Sequence, residues 1–302
     1  MTAILRVAVL CVAEARPLVL AVSLLRFLTG AALAVPVAAA PDPRTVLRGA
    51  AAWVLSILAV YLFNGVTDVV EDRVNGSGRP IARGDLQQGH ALAAAVVAGC
   101  LALLATVGLP AAMLWVVAGN LALGYLYSGP PLPLKGSAGG TMAVLCLSGM
   151  LAYGGGFIVA TAGADAAVPP ALVVFAAGAI CWMVFVGVPA KDLSDIQGDA
   201  AAGRRTLGVR VGERRSRRVM VVAALALLVA FALAVALLRV PLVGVALAMA
   251  VGVAAVTAAG LRRPAPAPGD GAVEGRSSRR RSYGAFMGAQ HLVHLTALVC
   301  HI

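Results

Sequence analysis

Apolar stretches recur from one end of the chain to the other, with little but Gly, Pro and small polar residues between them. Each approaches or exceeds the roughly 20 residues that a helix rising 1.5 Å per residue needs to cross a hydrocarbon core of about 30 Å. In lipid every backbone N–H and C=O must be satisfied within the spanning segment or by a closed barrel, and runs of this length select the helix. Composition agrees: 61% of the 302 residues are hydrophobic and 12% are charged, whereas about a quarter of a soluble domain is charged. The spacing predicts an all-α integral membrane protein of nine spans, near 18–40, 46–70, 88–108, 110–128, 137–161, 169–190, 217–238, 240–260 and 283–302. The Gly- and Pro-punctuated pair between 88 and 128 admits another division.

A formal charge of +11 suggests nucleic acid until the basic residues are placed on these spans. Twenty of the 24 Lys and Arg then fall in the N-terminal arm (Arg6, Arg16) and in the loops after the even-numbered spans. Arg44, Arg48 and Arg239 lie opposite, and Arg26 lies inside the first span. Positive loops stay cytosolic, so the N-terminus and those loops are expected inside the cell and the C-terminus outside, with no nucleic-acid partner. The run ending in Ala13-Glu14-Ala15 looks like a signal peptide, but Arg6 interrupts it. Residues 1–17 are therefore read as an interfacial arm on the cytosolic face. Residues 18–302 form one transmembrane domain, with 262–282 a flexible basic linker that touches anionic lipid. The five scattered cysteines suggest neither a disulfide framework nor a zinc site.

Six of the 13 acidic residues fall in two short windows, each at the cytosolic end of a span. The first holds Asn64, Asp68, Glu71 and Asp72; the second holds Lys191, Asp192, Asp195 and Asp199. On a helix, Asn64, Asp68 and Asp72 share one face, and so do Asp192, Asp195 and Asp199. Stripes bearing only oxygen ligands suit Mg²⁺, which binds one or two carboxylates and completes its shell with water and phosphate, rather than zinc or copper. Facing one another, two such stripes are able to clamp a diphosphate through bridging ions. After each window comes a Gly-containing basic loop, one carrying Arg79 and Arg83, the other Arg204 and Arg205. The chain thus repeats helix, acid stripe, basic loop and helix at an offset of four spans. Both lysines of the chain, Lys135 and Lys191, sit in such places, Lys135 closing the stretch that begins Tyr127-Ser128.

At these residues the chain resembles the UbiA superfamily of intramembrane prenyltransferases. Asn64, Asp68 and Asp72 match its first Asn-x-x-x-Asp-x-x-x-Asp motif, followed by Arg79-Pro80-Ile81 and Gly84; Asp195 and Asp199 match the second, with Lys191-Asp192 before and Gly203-Arg204-Arg205-Thr206-Leu207 after. The resemblance implies a nine-helix bundle with a central cavity, a cytosolic cap and a lateral opening for an isoprenoid tail. It also implies two Mg²⁺ held by Asn64, Asp68, Asp72, Asp195 and Asp199, assisted by Asp192. Lys135, Lys191, Arg79, Arg204, Arg205 and Tyr127 are expected on the diphosphate. Arg26, Tyr125, Tyr153 and Phe157 are candidate cavity residues, with Trp182 a further aromatic to stabilise an allylic cation. His291 and His294 share a helix face without a third ligand and are read as packing or cavity polar groups. The expected activity is Mg²⁺-dependent prenyl transfer from an isoprenyl diphosphate to an aromatic or quinone-precursor acceptor. The alternative is a UbiA-type terpene cyclase that uses no external acceptor. A transporter fits less well, because no acidic or basic relay crosses the apolar core.

Overall fold

Prolines and caps decide where the first helices begin. Helix α1 (Ala3–Glu14) gives way to α2 (Pro17–Ala32) at Arg16, which has a left-handed φ of 61°, and Pro17 lacks the N–H that would carry the α1 ladder onward. Helix α3 (Pro43–Thr67) starts from an Asp42 cap, whose carboxylate accepts from the N–H groups of Arg44 and Thr45, both at 3.1 Å, and from the Thr45 hydroxyl at 2.7 Å. Those hydrogen bonds, Thr45 first, hold the Asp42 carboxyl below the usual carboxylate range. Arg48, one turn into α3, donates to the Val107 carbonyl. That contact gives a structural reason for one of the cations that the positive-inside pattern leaves on the wrong side.

The computed structural model describes residues 3–38, 41–262 and 271–301. The remaining helices are α4 (Val69–Val74), α5 (Pro80–Arg83), α6 (Gln88–Leu104), α7 (Ala112–Ser128), α8 (Ala138–Ala160), α9 (Pro170–Trp182), α10 (Val188–Ala201), α11 (Leu207–Val211), α12 (Glu213–Leu237), α13 (Val243–Leu261) and α14 (Gly271–His301). Among the described residues no strand forms, and one isolated backbone bridge joins Ser137 to Arg205. The chain divides into two compact units: Met1–Lys135 with Leu147–Pro169, and Gly136–Cys146 with Pro170–Ile302.

In the first unit Phe27, Trp53, Met113, Val117 and Val159 are the centre of the core. A buried polar thread runs through it: Asn120 of α7 donates to Ser56 of α3 at 3.0 Å and accepts from Ser148 of α8 at 2.9 Å. Such interhelical bonds contribute about 0.6 kcal/mol each in lipid and fix which faces meet. In the second unit Trp182 stacks on Phe286, and Phe175 meets the His294 ring edge to face at 5.3 Å. His294 and His291 each place Nδ1 on the carbonyl one turn back, at 2.6 and 2.8 Å. Between α9 and α10 the helix widens into a π turn, Met183–Gly187, just before Pro189, whose missing N–H leaves a carbonyl of the preceding turn without its helical donor. Helix therefore continues from Pro170 to Ala201 and carries the second acid window from about one to about three turns beyond the π turn.

The expected count of nine spans is not reproduced. Six helical segments among the described residues are long and apolar enough to cross a membrane: Pro17–Val37, Pro43–Thr67, Ala138–Ala160, Pro170–Ala201, Glu213–Leu237 and Val243–Leu261. The stretches expected at 88–108 and 110–128 form helices of 17 residues each, about 26 Å long, because the chain turns non-helical between Thr106 and Pro110. The last helix begins at Gly271 instead of 283, so the basic residues Arg280 and Arg281 are helical rather than part of a linker. The rest of that expected linker, 263–270, lies outside the described residues.

Candidate active site

The first acid stripe survives a break in its helix. Asp68 ends α3 and begins α4, yet the N–H of Asp68 still donates to the Asn64 carbonyl at 2.9 Å and that of Asp72 to the Asp68 carbonyl at 2.8 Å. Asn64, Asp68 and Asp72 thus remain one column two turns long. The second stripe lies on the uninterrupted helix α10.

Both stripes end in the same local geometry. In the first unit the N–H of Gly76 reaches the Arg73 carbonyl at 3.0 Å and that of Ser77 the Asp72 carbonyl at 2.7 Å, with Gly76 at φ 56°. In the second the N–H of Gly203 reaches the Ala200 carbonyl at 3.1 Å and that of Arg204 the Asp199 carbonyl at 2.8 Å, with Gly203 at φ 68°. These are paired Schellman closures, in which a left-handed glycine stops the helix and turns the chain back. Each closure sends a basic loop into a short helix, α5 or α11, that is itself ended by a positive-φ glycine, Gly84 or Gly212.

Asp68, Asp72, Asp195 and Asp199 each have a cation beside them. In the first unit Lys135 Nζ lies 2.6 Å from Asp68 Oδ1 and 3.0 Å from Thr67 Oγ1, and Arg79 Nη1 lies 2.8 Å from Asp72 Oδ2. In the second, Lys191 Nζ is 3.5 Å from Asp195 Oδ2 and Arg204 Nη1 is 3.2 Å from Asp199 Oδ1. Asn64 donates to Ser128 Oγ at 3.0 Å. Asp192, buried, accepts from the Leu207 N–H at 3.3 Å and so ties α10 to the first residue of α11.

Other expected residues have different surroundings. Arg79 is buried and fully engaged: besides Asp72, it contacts the Glu14 carboxylate at 2.7 Å, the Glu14 carbonyl and the Tyr61 carbonyl. In this structure that geometry makes it an internal clamp, with its guanidinium turned to protein oxygens. Arg205 pairs through its backbone N–H with the Gly136 carbonyl and keeps an exposed side chain. Tyr127 is half-buried near the end of α7, while Tyr125 is half exposed, stacked on Phe63 and donating to the Pro130 carbonyl. Phe157 packs against Ala31, Ala34 and Ala160. Arg26 hydrogen-bonds the buried Tyr153 hydroxyl, so this intramembrane cation has a partner on α8.

Glu14 escaped the sequence reading. Completely buried, it accepts from the Ile81 N–H at 2.9 Å as well as pairing with Arg79. Burial raises its carboxyl above the usual glutamate range, against the opposing pull of the Arg79 guanidinium and the Ile81 N–H. Its one visible signal is a lone acid in an otherwise apolar and basic arm. Among the described residues no three His, Cys, Asp or Glu side chains gather as a ready-made metal cage. The donors along both stripes are nevertheless all oxygen, which fits an ion that takes few protein ligands and fills its shell from phosphate and water.

The UbiA prenyltransferase family model matches residues 23–270. A digeranylgeranylglyceryl phosphate synthase from Natronomonas pharaonis is 35% identical over 166 residues, a match covering 54% of this chain and 57% of that enzyme. The chain thus spans little more than half the length of that relative. A UbiA homolog from Archaeoglobus fulgidus bound to GPP and Mg²⁺ superposes with a TM-score of 0.67 at 17% identity, covering 95% of this chain and 99% of that one. The apo UbiA homolog from Aeropyrum pernix K1 gives 0.60 at 18%, covering 92% and 96%. At such identities the likeness carries the fold.

Proposed function

The chain belongs to the UbiA prenyltransferase family, and we propose that it is a multi-pass membrane enzyme that ionises an isoprenyl diphosphate with Mg²⁺ and transfers the prenyl group to an acceptor. The observation that carries this reading is the repeated carboxylate and cation pairing, Lys135 with Asp68 and Arg79 with Asp72 in one unit, Lys191 with Asp195 and Arg204 with Asp199 in the other. Structural ion pairs alone give no reason for the same stripe, glycine closure and basic loop to occur twice. Bound divalent metal neutralises charge on a departing diphosphate. Asn64, Asp68, Asp72, Asp195 and Asp199 are the residues to hold it, and two ions match two stripes. Lys135, Lys191 and Arg204 are poised to exchange their carboxylate partners for phosphate oxygens. A Mg²⁺-bound and GPP-bound homolog of the same fold supports the metal and the substrate class.

For the acceptor, the primary reading is an aromatic or quinone-precursor ring. The relative from Natronomonas pharaonis is named for making digeranylgeranylglyceryl phosphate, and on that likeness a glyceryl phosphate acceptor is the second reading. In nanodiscs with geranylgeranyl diphosphate and Mg²⁺, Asp68→Asn and Asp199→Asn are each expected to lower diphosphate release by at least about a hundredfold while eluting as the parent does. Undiminished turnover in either overturns the metal assignment. Mass spectra of products made with 4-hydroxybenzoate, with geranylgeranylglyceryl phosphate or with no acceptor separate the two readings from a cyclase.

A further inference from the structure

We propose that Glu14, on the N-terminal helix α1, is a positioning residue for the metal stripe, acting through Arg79 to fix the carboxylate of Asp72. The inference rests on the reading of Asp72 as a metal ligand. Its ground is a chain of contacts that joins residues 65 positions apart. Glu14 Oε1 lies 2.7 Å from Arg79 Nε, and Arg79 Nη1 lies 2.8 Å from Asp72 Oδ2. The Arg79 Nη2 group donates to the carbonyls of Glu14 and Tyr61, both at 3.2 Å. A guanidinium is planar and rigid, so fixing Nε and Nη2 also fixes the direction in which Nη1 points. Asp72 is thereby held from outside its own helix.

Two further observations show that the chain is built around this contact. Gly65, on α3 one residue after Asn64, has no side chain where Glu14 and Arg79 pass: a Cβ there would lie 2.7 Å from Arg79 Nη2 and 3.0 Å from Glu14 Cδ. The second unit contains the counterpart. Asp192, buried, takes the Leu207 N–H at the start of α11, as Glu14 takes the Ile81 N–H at the start of α5. Each short helix that follows a basic loop is thus anchored by a buried carboxylate. In the second unit that anchor lies on the acid helix itself; in the first it comes from the N-terminal arm.

Mn²⁺ binding in the presence of geranyl S-thiodiphosphate, read by electron paramagnetic resonance on nanodisc-embedded full-length protein, tests the assignment. Glu14→Gln is expected to raise the Mn²⁺ dissociation constant about tenfold, as loss of a group that orients a metal ligand does. The Mg²⁺ concentration for half-maximal turnover should rise in parallel, with kcat at saturating Mg²⁺ changing less. Glu14→Asp, which keeps the charge, should recover part of the loss. Should Glu14→Gln fail to fold, Glu14→Gln/Arg79→Gln removes both charges of the fully buried pair, leaving only the partly exposed Asp72 without its arginine, and is expected to fold and to show the same weakening. A parental dissociation constant in whichever of these variants folds overturns the inference. Asp72→Asn, measured alongside, keeps the two ideas apart: parental Mn²⁺ binding there overturns the metal role of the stripe, whereas weakened binding there with parental binding in the Glu14 variants overturns only the role of Glu14.

Discussion

Lys135 is the residue whose surroundings most sharply suggest exchange between protein and substrate. Its ammonium is buried, with Asp68 Oδ1 at 2.6 Å and Thr67 Oγ1 at 3.0 Å. A lysine is a compact, flexible point charge that moves readily from carboxylate to phosphate, whereas arginine carries a wide planar fork that needs more room. Lys135→Met is expected to raise KM for the prenyl diphosphate by about tenfold or more and to lower kcat, and Lys135→Arg is not expected to restore either. Steady-state kinetics in nanodiscs check this, and parental KM in Lys135→Met would remove the residue from the diphosphate. Arg79 makes the contrast. The sequence places it beside Asp72 in the same way, but its donors are occupied by Glu14, Tyr61 and Asp72. Which basic residue is available and which is structural depends on partners many positions away, and local spacing does not encode them.

At the scale of helices, close approach is set by glycine at particular positions. Helix α8 carries Gly154, Gly155 and Gly156 in a row, and the three are not equivalent. A Cβ on Gly156 would overlap the backbone of α2, 2.7 Å from the Ala31 nitrogen, while one on Gly154 meets nothing within 4 Å. Backbone atoms of a packed helix cannot retreat as a side-chain tip does, so Gly156→Ala is expected to cost about 3 kcal/mol or prevent folding. Gly154→Ala should be neutral or stabilise by up to about 1 kcal/mol through helix propensity. Thermal or denaturant unfolding in detergent distinguishes the pair, and equal stability of the two variants would contradict the packing of α2 against α8. The acid helices show what a local pattern does encode. Asp72 with Gly76 and Asp199 with Gly203 repeat Asp-x-x-x-Gly, and both occurrences form the same closure. The broken helix at Asp68 was not legible, yet its i to i+4 bonds continue through the break and the column persists.

For the whole molecule, solvent and charge give the remaining expectation. Basic residues gather in the loops after the even-numbered expected spans, so cysteines introduced at Ser77 and at Gly203 in a cysteine-free background should label from the cytosolic side. Labelling of either from the outside would overturn the expected orientation. The amino-acid sequence alone determined the membrane class, the helical character, the two acid columns and the family, because hydrophobic run length, helical period and short motifs are properties of neighbouring residues. Tertiary structure decided which stretches reach full spanning length, since α6 and α7 stop at 17 residues each. It also decided that α14 begins at Gly271, that Arg26 meets Tyr153, and that the isolated acid of the N-terminal arm lies buried against Arg79. The last two outcomes come from contacts between segments far apart in the chain, where the partner of a buried charge is chosen by the fold and not by its neighbours in sequence.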